Sequence, residues 1–573
     1  PCNPSIWGRA GPRFHPEAPL VFQFQVRPLP ESNAPVRVLL VGPHDPHGGE
    51  YTFLAPPLGV WRLAGVLSHA GVFADVFDPN CCSGTAQAAL EEKLRDGAWN
   101  VVGFSTTGMT LRFDLALAHL TRRRLPGALL LAGGMEATFD PNSLFRLGPF
   151  DRVVLGEGEK PLLEIVSRIK AELPLDGIPG TAWLDEQGRV KRVPQTALSR
   201  EELRDAIYQT PYERMPYRAY WDRLERAYRV KDLPVKADRE ARLAELRSVR
   251  LITLNYCPMG CTFCSSTNFL NSAQDGTALL ARLHQDECVV MMERIVTAFP
   301  EVRTIIFQDD IFVFPTDHRI LALCAAILEA KAEGRLPEDL QFISTNRIDS
   351  MTPERLHAMA QAGFRVLGFG VENFSKAVLA EFNKVRIYPK IAGVLSEALK
   401  AGITPFMDMI LTSPRASLND LAETVREGYK WTMAGCEAGM YPYVIPFSGA
   451  PMSSDPSLKA HTVYVRHQVE GTDIAWDQAS KILPIDPEVR RVILEIEADF
   501  DERLSVLETV VAHLPSRVRS LLMVLCAVPV LRSAGCEVPD DKEVIVALCD
   551  RLPGLSLPDL IDVLDNPRRL QIA

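Results

Sequence analysis

The chain has 573 residues, 47% hydrophobic and 23% charged, the proportions of an ordinary globular protein with ample core. At roughly 150 residues per domain it should divide into about three or four units. A formal charge of −10 argues against a polyanion-binding surface, and the most apolar C-terminal stretch, residues 521–531 between Arg519 and Arg532, is too short to span a bilayer, so neither nucleic acid nor membrane is an expected partner.

Residues 1–34 are rich in proline and aperiodic, an arm on the surface by this reading, and no secretory signal is visible, although Pro1 stands where an initiator methionine would. Residues 35–190 form the first domain. Apolar, β-branched runs at 36–42, 73–78, 100–105, 128–134 and 152–156 read as strands, with helical segments between them such as 57–71. That alternation predicts a Rossmann-like, doubly wound parallel sheet, which binds ligands at the carboxyl ends of its strands, where Gly42, Gly103, Gly133, Gly134, Gly156 and Gly158 fall. In the residues 56–64 (PPLGVWRLA), Asp78-Pro-Asn80, Gly133-Gly134 and Gly156-Glu-Gly-Glu159 the stretch is similar to the cobalamin-binding domain found in front of many radical S-adenosylmethionine enzymes. The resemblance implies cobalamin as a cofactor, on a face comprising Trp61, Arg62, Ser105, Gly133, Gly134, Gly156 and Glu157; Trp61 or Arg62 would stand near its lower side. The family's histidine motif, Asp-x-His-x-x-Gly, is imperfect in 44–50 (HDPHGGE), so His47 as an axial ligand competes with a solvated turn histidine. Such a domain also persists as a scaffold without cofactor. Cys81 and Cys82, at the end of the second strand, are two thiols on a turn that would suit a soft acceptor such as trivalent arsenic, or simply pack the turn.

Residues 191–248 read as a charged, helix-prone connector. Its Tyr208, Tyr212, Tyr217, Tyr220, Trp221 and Tyr228 lie among arginines, an arrangement that stacks nucleotides or, more commonly between α/β units, buries an aromatic face between domains.

The third unit, 249–454, opens on an apolar strand at 249–256 followed by Cys257, Cys261 and Cys264 on a Gly/Pro turn. Three thiolates on a loop at the carboxyl end of a strand suit a 4Fe-4S cluster with one iron left open. A zinc site would need a fourth ligand, and the nearest histidine, His284, lies in a predicted helix; three unrelated core cysteines would not sit on such a turn. The run closely resembles the radical S-adenosylmethionine superfamily signature, Cys-x3-Cys-x2-Cys with an aromatic residue, here Phe263, before the last cysteine. By that resemblance the open iron chelates S-adenosylmethionine and passes an electron to its sulfonium. Further strands at 302–307, 340–344, 366–370, 404–410 and 440–445 match the family's partial (β/α)6 barrel. Gln308-Asp309-Asp310 replaces the usual Gly-Gly-Glu, so the resemblance gives Gln308 and Asp309 the amino group of S-adenosylmethionine, with Asp310 as a turn cap. Ser344, Asn346 and Arg347 follow the third strand, where an arginine pairs the methionyl carboxylate bidentately; Glu372 after the fourth would take ribose hydroxyls, and Tyr256 and Phe263 would shield the cluster.

Residues 455–573 read as a mostly helical C-terminal domain, with helix starts at Asp486-Pro-Glu488 and Ser556-Leu-Pro558. Twelve cysteines would allow disulfides by parity, yet the cluster motif and single cysteines in predicted helices (Cys288, Cys324, Cys549) favour a reducing cytoplasm. The expected function is alkylation, foremost methylation, of a small-molecule substrate in a specialised biosynthetic pathway, with an electron donor such as flavodoxin or ferredoxin. Two alternatives stand beside it: cobalamin-independent transfer of the 3-amino-3-carboxypropyl group to a soft acceptor at Cys81 and Cys82, and a non-catalytic cobalamin or iron-sulfur sensor.

Overall fold

The computed structural model describes residues 35–47, 54–228, 230–232, 236–316, 319–510 and 516–549. Strands β1 (Arg37–Val41), β2 (Phe73–Phe77), β3 (Val101–Ser105), β4 (Leu129–Gly133) and β5 (Arg152–Val154) arise where the apolar runs predicted them, and their paired neighbours are parallel. An antiparallel hairpin, β6 (Thr181–Leu184) and β7 (Val190–Val193), extends the edge and carries this unit past the expected boundary at 190. The sheet order is β2-β1-β3-β4-β5-β6-β7. Chain direction across the sheet switches at β1, so a crevice opens beyond the carboxyl ends of β1 and β3. The helix Leu58–His69 covers one face with Val60, Trp61, Ala64 and Leu67, and the chain leaves it through Gly71 at φ 74°, a left-handed turn that suits glycine.

The connector's aromatic face holds the two α/β units together. Tyr217, Tyr220 and Trp221 are buried. The Tyr212 hydroxyl donates to the Arg250 carbonyl at 3.0 Å and the Trp221 indole to the Ser248 carbonyl at 2.9 Å, both in the barrel's first strand, while the Tyr220 hydroxyl reaches the Asp78 carboxylate of the first sheet at 2.9 Å.

The second sheet runs in chain order, every neighbouring pair parallel: β8 (Ser248–Leu251), β9 (Thr304–Phe307), β10 (Gln341–Asn346), β11 (Phe364–Glu372), β12 (Thr404–Ile410) and β13 (Glu437–Tyr441). The last strand lies three residues before its expected start at 440, and the first ends at Leu251 rather than 256, which leaves all three motif cysteines on the loop. Side chains alternate by face. Leu251, Phe307, Phe342, Leu367 and Met407 are buried in one core with helix residues such as Leu323, Met359 and Leu395. Their neighbours along each strand, including Arg250, Gln308, Thr345 and Asp408, line a partly open concave face.

Residues beyond the barrel include the helices Pro487–Val510, Ser516–Ser533 and Asp541–Cys549. Asp486 caps the first of them, accepting from the Glu488 amide at 2.8 Å, as expected; the Ser556 signal lies outside the described residues. The sequence reading missed an antiparallel hairpin within this helical region, β14 (Thr462–Gln468) and β15 (Ala475–Ile482). Its turn reaches the first sheet, where Val469 and Trp476 pack with Phe77 and Leu90. The apolar stretch 521–531 packs against Ile493 of this domain and against Leu421 and Val425 on the barrel helix Leu418–Ala434. No helix among the described residues is long and apolar enough to cross a membrane.

Candidate active site

The three cysteines are free and half-exposed on the loop after β8. Gly260 turns the loop at φ 67° between the first two, a left-handed conformation that costs glycine little. The Gly260 amide donates to Thr267 Oγ1 at 2.9 Å, and its carbonyl accepts from Asn383 Nδ2 at 2.9 Å. Thr262 Oγ1 donates to the Glu381 carbonyl at 2.8 Å, and Phe263 meets Phe382 edge-on at 4.9 Å. The segment after β11 therefore pins the loop. Cys264 Sγ accepts from the Ser266 amide at 3.5 Å. Burial pushes the Cys257 thiol up to about 12, with the charge of Asp310 adding to it, so these thiols bind metal only by releasing protons. Burial also raises Cys261, while the cations Lys384 and Arg347 favour its thiolate. Three soft donors beside two cations fit an anionic iron-sulfur cluster. Among the described residues no group of three or more His, Cys, Asp or Glu is placed to hold a single metal ion, and His284 is the N-cap of the helix Gln285–Ala298 rather than part of it.

Strand parity corrects the expected S-adenosylmethionine contacts. Asp309 is turned to the helix side, where its carboxylate accepts from the Thr253 amide at 2.6 Å, the Thr253 hydroxyl at 2.6 Å and the Leu254 amide at 3.1 Å. It anchors the root of the cluster loop and has no opening to a ligand. Its neighbours take the concave side: Gln308 accepts from Arg250 at 3.3 Å, and Asp310 is exposed within the concavity, hydrogen-bonded by Ser266 and close enough to perturb Cys257. Asp310 is thus no mere turn cap. Ser344 and Asn346 are likewise buried on the helix side, bonded to each other at 2.9 Å, while Thr345 faces the concavity between them. Arg347 stands 4.0 Å from Cys261 Sγ through Nη1, but its Nε–Nη2 edge is occupied by Asp349 at 2.8 and 3.1 Å, so the expected bidentate grip on a carboxylate is already spent. Glu372 sits at φ 60° on an irregularity between β11 and β12, and one of its oxygens is held by Lys384 Nζ at 2.6 Å. Thr345 and Asp408 face the same concavity, with Lys384 beside Glu372, and the sequence reading did not single these three out; the period-2 pattern of the strands carried the signal for Thr345 and Asp408.

The crevice of the first sheet holds a cavity of about 290 Å³, lined by Arg62, Ser105, Gly133, Gly134, Gly156 and Glu157 as expected, and also by Glu159. Trp61 is corrected: it faces the sheet core and is absent from the cavity wall, to which the same helix contributes Leu58, Gly59, Val60, Arg62 and Leu63. Arg62 pairs with Glu159 at 2.5 Å. Glu157 Oε2 accepts from the Leu198 amide at 2.6 Å, and burial with the nearby Glu159 charge pushes the Glu157 carboxyl up to about 7. Glu157 Oε1 and Glu159 Oε2 are buried without a hydrogen-bond partner. Two orphaned acceptors in a glycine-walled slot fit a ligand rich in amide and hydroxyl donors, as cobalamin is. A side chain at Gly103 would close to 3.0 Å from Leu40, so glycine there preserves the slot. Ile252, Leu254 and Asn255 line the same cavity from the barrel side, and Asn255 is two residues from Cys257.

His47 lies off this wall, with its ring 5.7 Å from that of Phe113; Gly48 to Glu50 lie outside the described residues. Cys81 and Cys82 are also off the wall. Cys82 Sγ donates to the Pro79 carbonyl at 3.1 Å, and burial beside Asp78 pushes Cys81 up to about 12, which disfavours a thiolate.

Comparison with known proteins agrees with this geometry. Residues 47–166 match the B12 binding domain and residues 251–428 the radical SAM superfamily. The chain is a radical S-adenosylmethionine protein with a cobalamin-binding domain in front of its barrel. It is 24% identical over 376 residues to an uncharacterized methyltransferase of Pyrococcus horikoshii, covering 65% of this chain and 72% of that one. It is 25% identical over 394 residues to cytidylyl-2-hydroxyethylphosphonate methyltransferase of Streptomyces wedmorensis, covering 62% and 68%. Among solved structures, the cobalamin-dependent S-adenosylmethionine radical enzyme OxsB with aqua-cobalamin bound shares the fold at TM-score 0.64 and 16% identity, over 94% of this chain and 80% of that one. The radical S-adenosylmethionine methyltransferase TsrM of Kitasatospora setae, with cobalamin and a [4Fe-4S] cluster bound, does so at TM-score 0.60 and 15% identity, over 87% and 100%.

Proposed function

We propose that the protein is an enzyme that methylates a small molecule in a specialised biosynthetic pathway, using a 4Fe-4S cluster on Cys257, Cys261 and Cys264, S-adenosylmethionine and cobalamin. The observation that carries this reading is the shared cavity: the glycine-walled slot of the first domain and the root of the cysteine loop border one space. When bound, the cluster supplies the electron that breaks a carbon-sulfur bond of S-adenosylmethionine and cobalamin carries the methyl group. The chain's own residues do the rest. Asp310 and Gln308 take the amino group of S-adenosylmethionine from the concave side, Thr345 and the free oxygen of Glu372 reach its ribose, and Arg347 and Lys384 balance the cluster's negative charge. Glu157 and Glu159 would accept from the cobalamin side chains, and Arg62 would line the same slot beside it.

A flavodoxin- or ferredoxin-like electron donor in a reducing cytoplasm belongs to the same proposal. The relatives' names support methylation, and the placement of Cys81 and Cys82 outside the cavity gives the arsenite alternative no support. Binding of hydroxocobalamin in the base-off form tests the reading: an anaerobically reconstituted protein should show it in the visible spectrum at micromolar cofactor. A base-on spectrum, or no binding, would overturn it.

A further inference from the structure

Beside the cluster loop lies a basic, partly apolar patch that none of these roles uses. The segment that pins the loop, with Asn383 Nδ2 on the Gly260 carbonyl at 2.9 Å and Thr262 Oγ1 on the Glu381 carbonyl at 2.8 Å, continues into a short 3-10 helix, Val385–Lys390. At about three residues per turn, Val385 and Tyr388 share one ridge of this helix and Arg386 and Pro389 the next. All four are exposed, while Ile387 on the remaining ridge is buried and holds the helix down. Lys390 is exposed as well, as are Lys376 on the preceding helix Lys376–Glu381 and Pro258, the neighbour of Cys257. Among the described residues Lys376, Arg386 and Lys390 have no ion-pair partner. The acids nearby are engaged: Glu372 with Lys384 at 2.6 Å, Glu381 with Arg415 at 2.9 Å, and Asp349, whose charge reaches Lys390, with Arg347 at 2.8 Å. In a chain of net charge −10, the segment that grips the cluster loop thus presents uncompensated positive charge around exposed apolar side chains.

We propose that this patch, made of Lys376, Val385, Arg386, Tyr388 and Lys390, is the docking surface for an acidic one-electron carrier protein, a flavodoxin or ferredoxin. This rests on the cluster reading above. Each cleavage of S-adenosylmethionine takes one electron from outside the chain, and the carrier leaves one electron poorer: an anionic flavin hydroquinone becomes the neutral semiquinone, and a reduced iron-sulfur carrier its oxidised form. A carrier seated on the patch sits against the segment bonded to the loop between Cys257 and Cys261, so the electron has only that segment and the loop to cross. Opposite charge speeds the encounter, and electron-transfer pairs work through small, weak interfaces of this kind.

The test uses the full-length, cluster-reconstituted, cobalamin-loaded protein with S-adenosylmethionine, reduced either by an acidic flavodoxin hydroquinone or by reduced methyl viologen, a small cation that needs no docking surface; release of 5′-deoxyadenosine is followed. Changing Arg386→Glu and Lys390→Glu together should raise the KM for flavodoxin at least about tenfold at low ionic strength, while the rate with viologen should not fall. Added salt should raise the parent's KM for flavodoxin toward that of the variant. Lys376→Glu, which suits the first turn of its helix and so folds readily, should shift the KM in the same direction. A KM for flavodoxin unchanged in both variants, or equal losses with both reductants, would overturn the inference and leave the cluster reading standing. So would a parent that viologen drives and neither an acidic flavodoxin nor an acidic ferredoxin does. A second copy of the chain as the occupant would appear as a dimer of the parent in sedimentation that the double variant dissociates, and would overturn it too. No 5′-deoxyadenosine from the parent with viologen would overturn the reading on which the inference rests, and the inference with it.

Discussion

Asp309 and Asp310 are adjacent acids on opposite faces of the sheet, and replacing each by alanine should produce opposite defects. Asp309→Ala strands two backbone amides and the Thr253 hydroxyl, which the carboxylate holds at 2.6, 3.1 and 2.6 Å. Each stranded buried donor costs about 1–3 kcal/mol. Part of that is offset because a poorly solvated carboxyl, pushed up to about 6 by burial, is removed as well. The net loss should be about 3 kcal/mol, read as a lower urea midpoint of the barrel transition in near-ultraviolet circular dichroism. Cluster loading should fall in step, since the loop is rooted there. Asp310→Ala removes an accessible side chain, so stability should stay within about 0.5 kcal/mol. Loss of a charge-assisted contact to an ammonium group should weaken S-adenosylmethionine binding at least about tenfold, equivalent to about 1.4 kcal/mol, measured by equilibrium dialysis. If Asp309→Ala were as stable as the parent and lost S-adenosylmethionine affinity, while Asp310→Ala kept it, the face assignment of this strand would be refuted.

Replacing Cys257, Cys261 or Cys264 with alanine should abolish the cluster absorbance and all S-adenosylmethionine cleavage, whereas Cys324→Ala, in the core, should leave both intact; full cluster occupancy in a triple alanine variant would end the assignment. Gly133→Val should fold, because its new Cβ meets Val154 at an ordinary 3.8 Å, yet lower hydroxocobalamin affinity at least about tenfold by filling the slot; unaltered affinity in a titration would count against the cofactor site. Gly134→Val should instead destabilise the domain, since φ is 96° and its Cβ would lie 2.6 Å from the Thr106 carbonyl, as a lower thermal midpoint would report. Asp114 is fully buried and its carboxyl is pushed up to about 8, so the folded form keeps a proton that the unfolded chain releases near pH 4; stability from this group falls as pH rises from about 4 to 8. Asp114→Asn should flatten that slope in urea titrations, and an unchanged slope would argue against a protonated Asp114.

The two sheets were legible because their strands are β-branched and bounded by glycine, and the cysteine motif marked the cluster loop directly. The errors share a physical origin. Face assignment along a strand turns on single-residue parity, so choosing Asp309 and Ser344 instead of Asp310 and Thr345 reversed which side chains meet the ligand. Trp61 and Arg62 pose the same problem on a helix, where one step rotates a side chain from cavity to core. The last barrel strand contains Glu437 and Gly439, weak strand formers, while the residues just after it, Pro442 to Ile445, look more β-like than they are. The β14–β15 hairpin escaped notice because neither of its faces is uniformly apolar; its strands are largely half-exposed or exposed, and its burial comes from Val469 and Trp476 reaching the first domain and from Ile482 packing with Val378 and Ile410 of the barrel.

The measurement that most directly tests methylation by a cobalamin-dependent radical enzyme is the identity of the nucleoside released from S-adenosylmethionine under anaerobic reducing conditions, with and without cobalamin. Three carbon-sulfur bonds meet at the sulfonium, and the one that breaks reports which carbon the site holds in line with the cluster. The expected products are 5′-deoxyadenosine with methionine, together with S-adenosylhomocysteine that requires cobalamin. Release of 5′-methylthioadenosine as the main nucleoside, unaffected by cobalamin and matched by a new carbon to heteroatom bond in the acceptor, would contradict it.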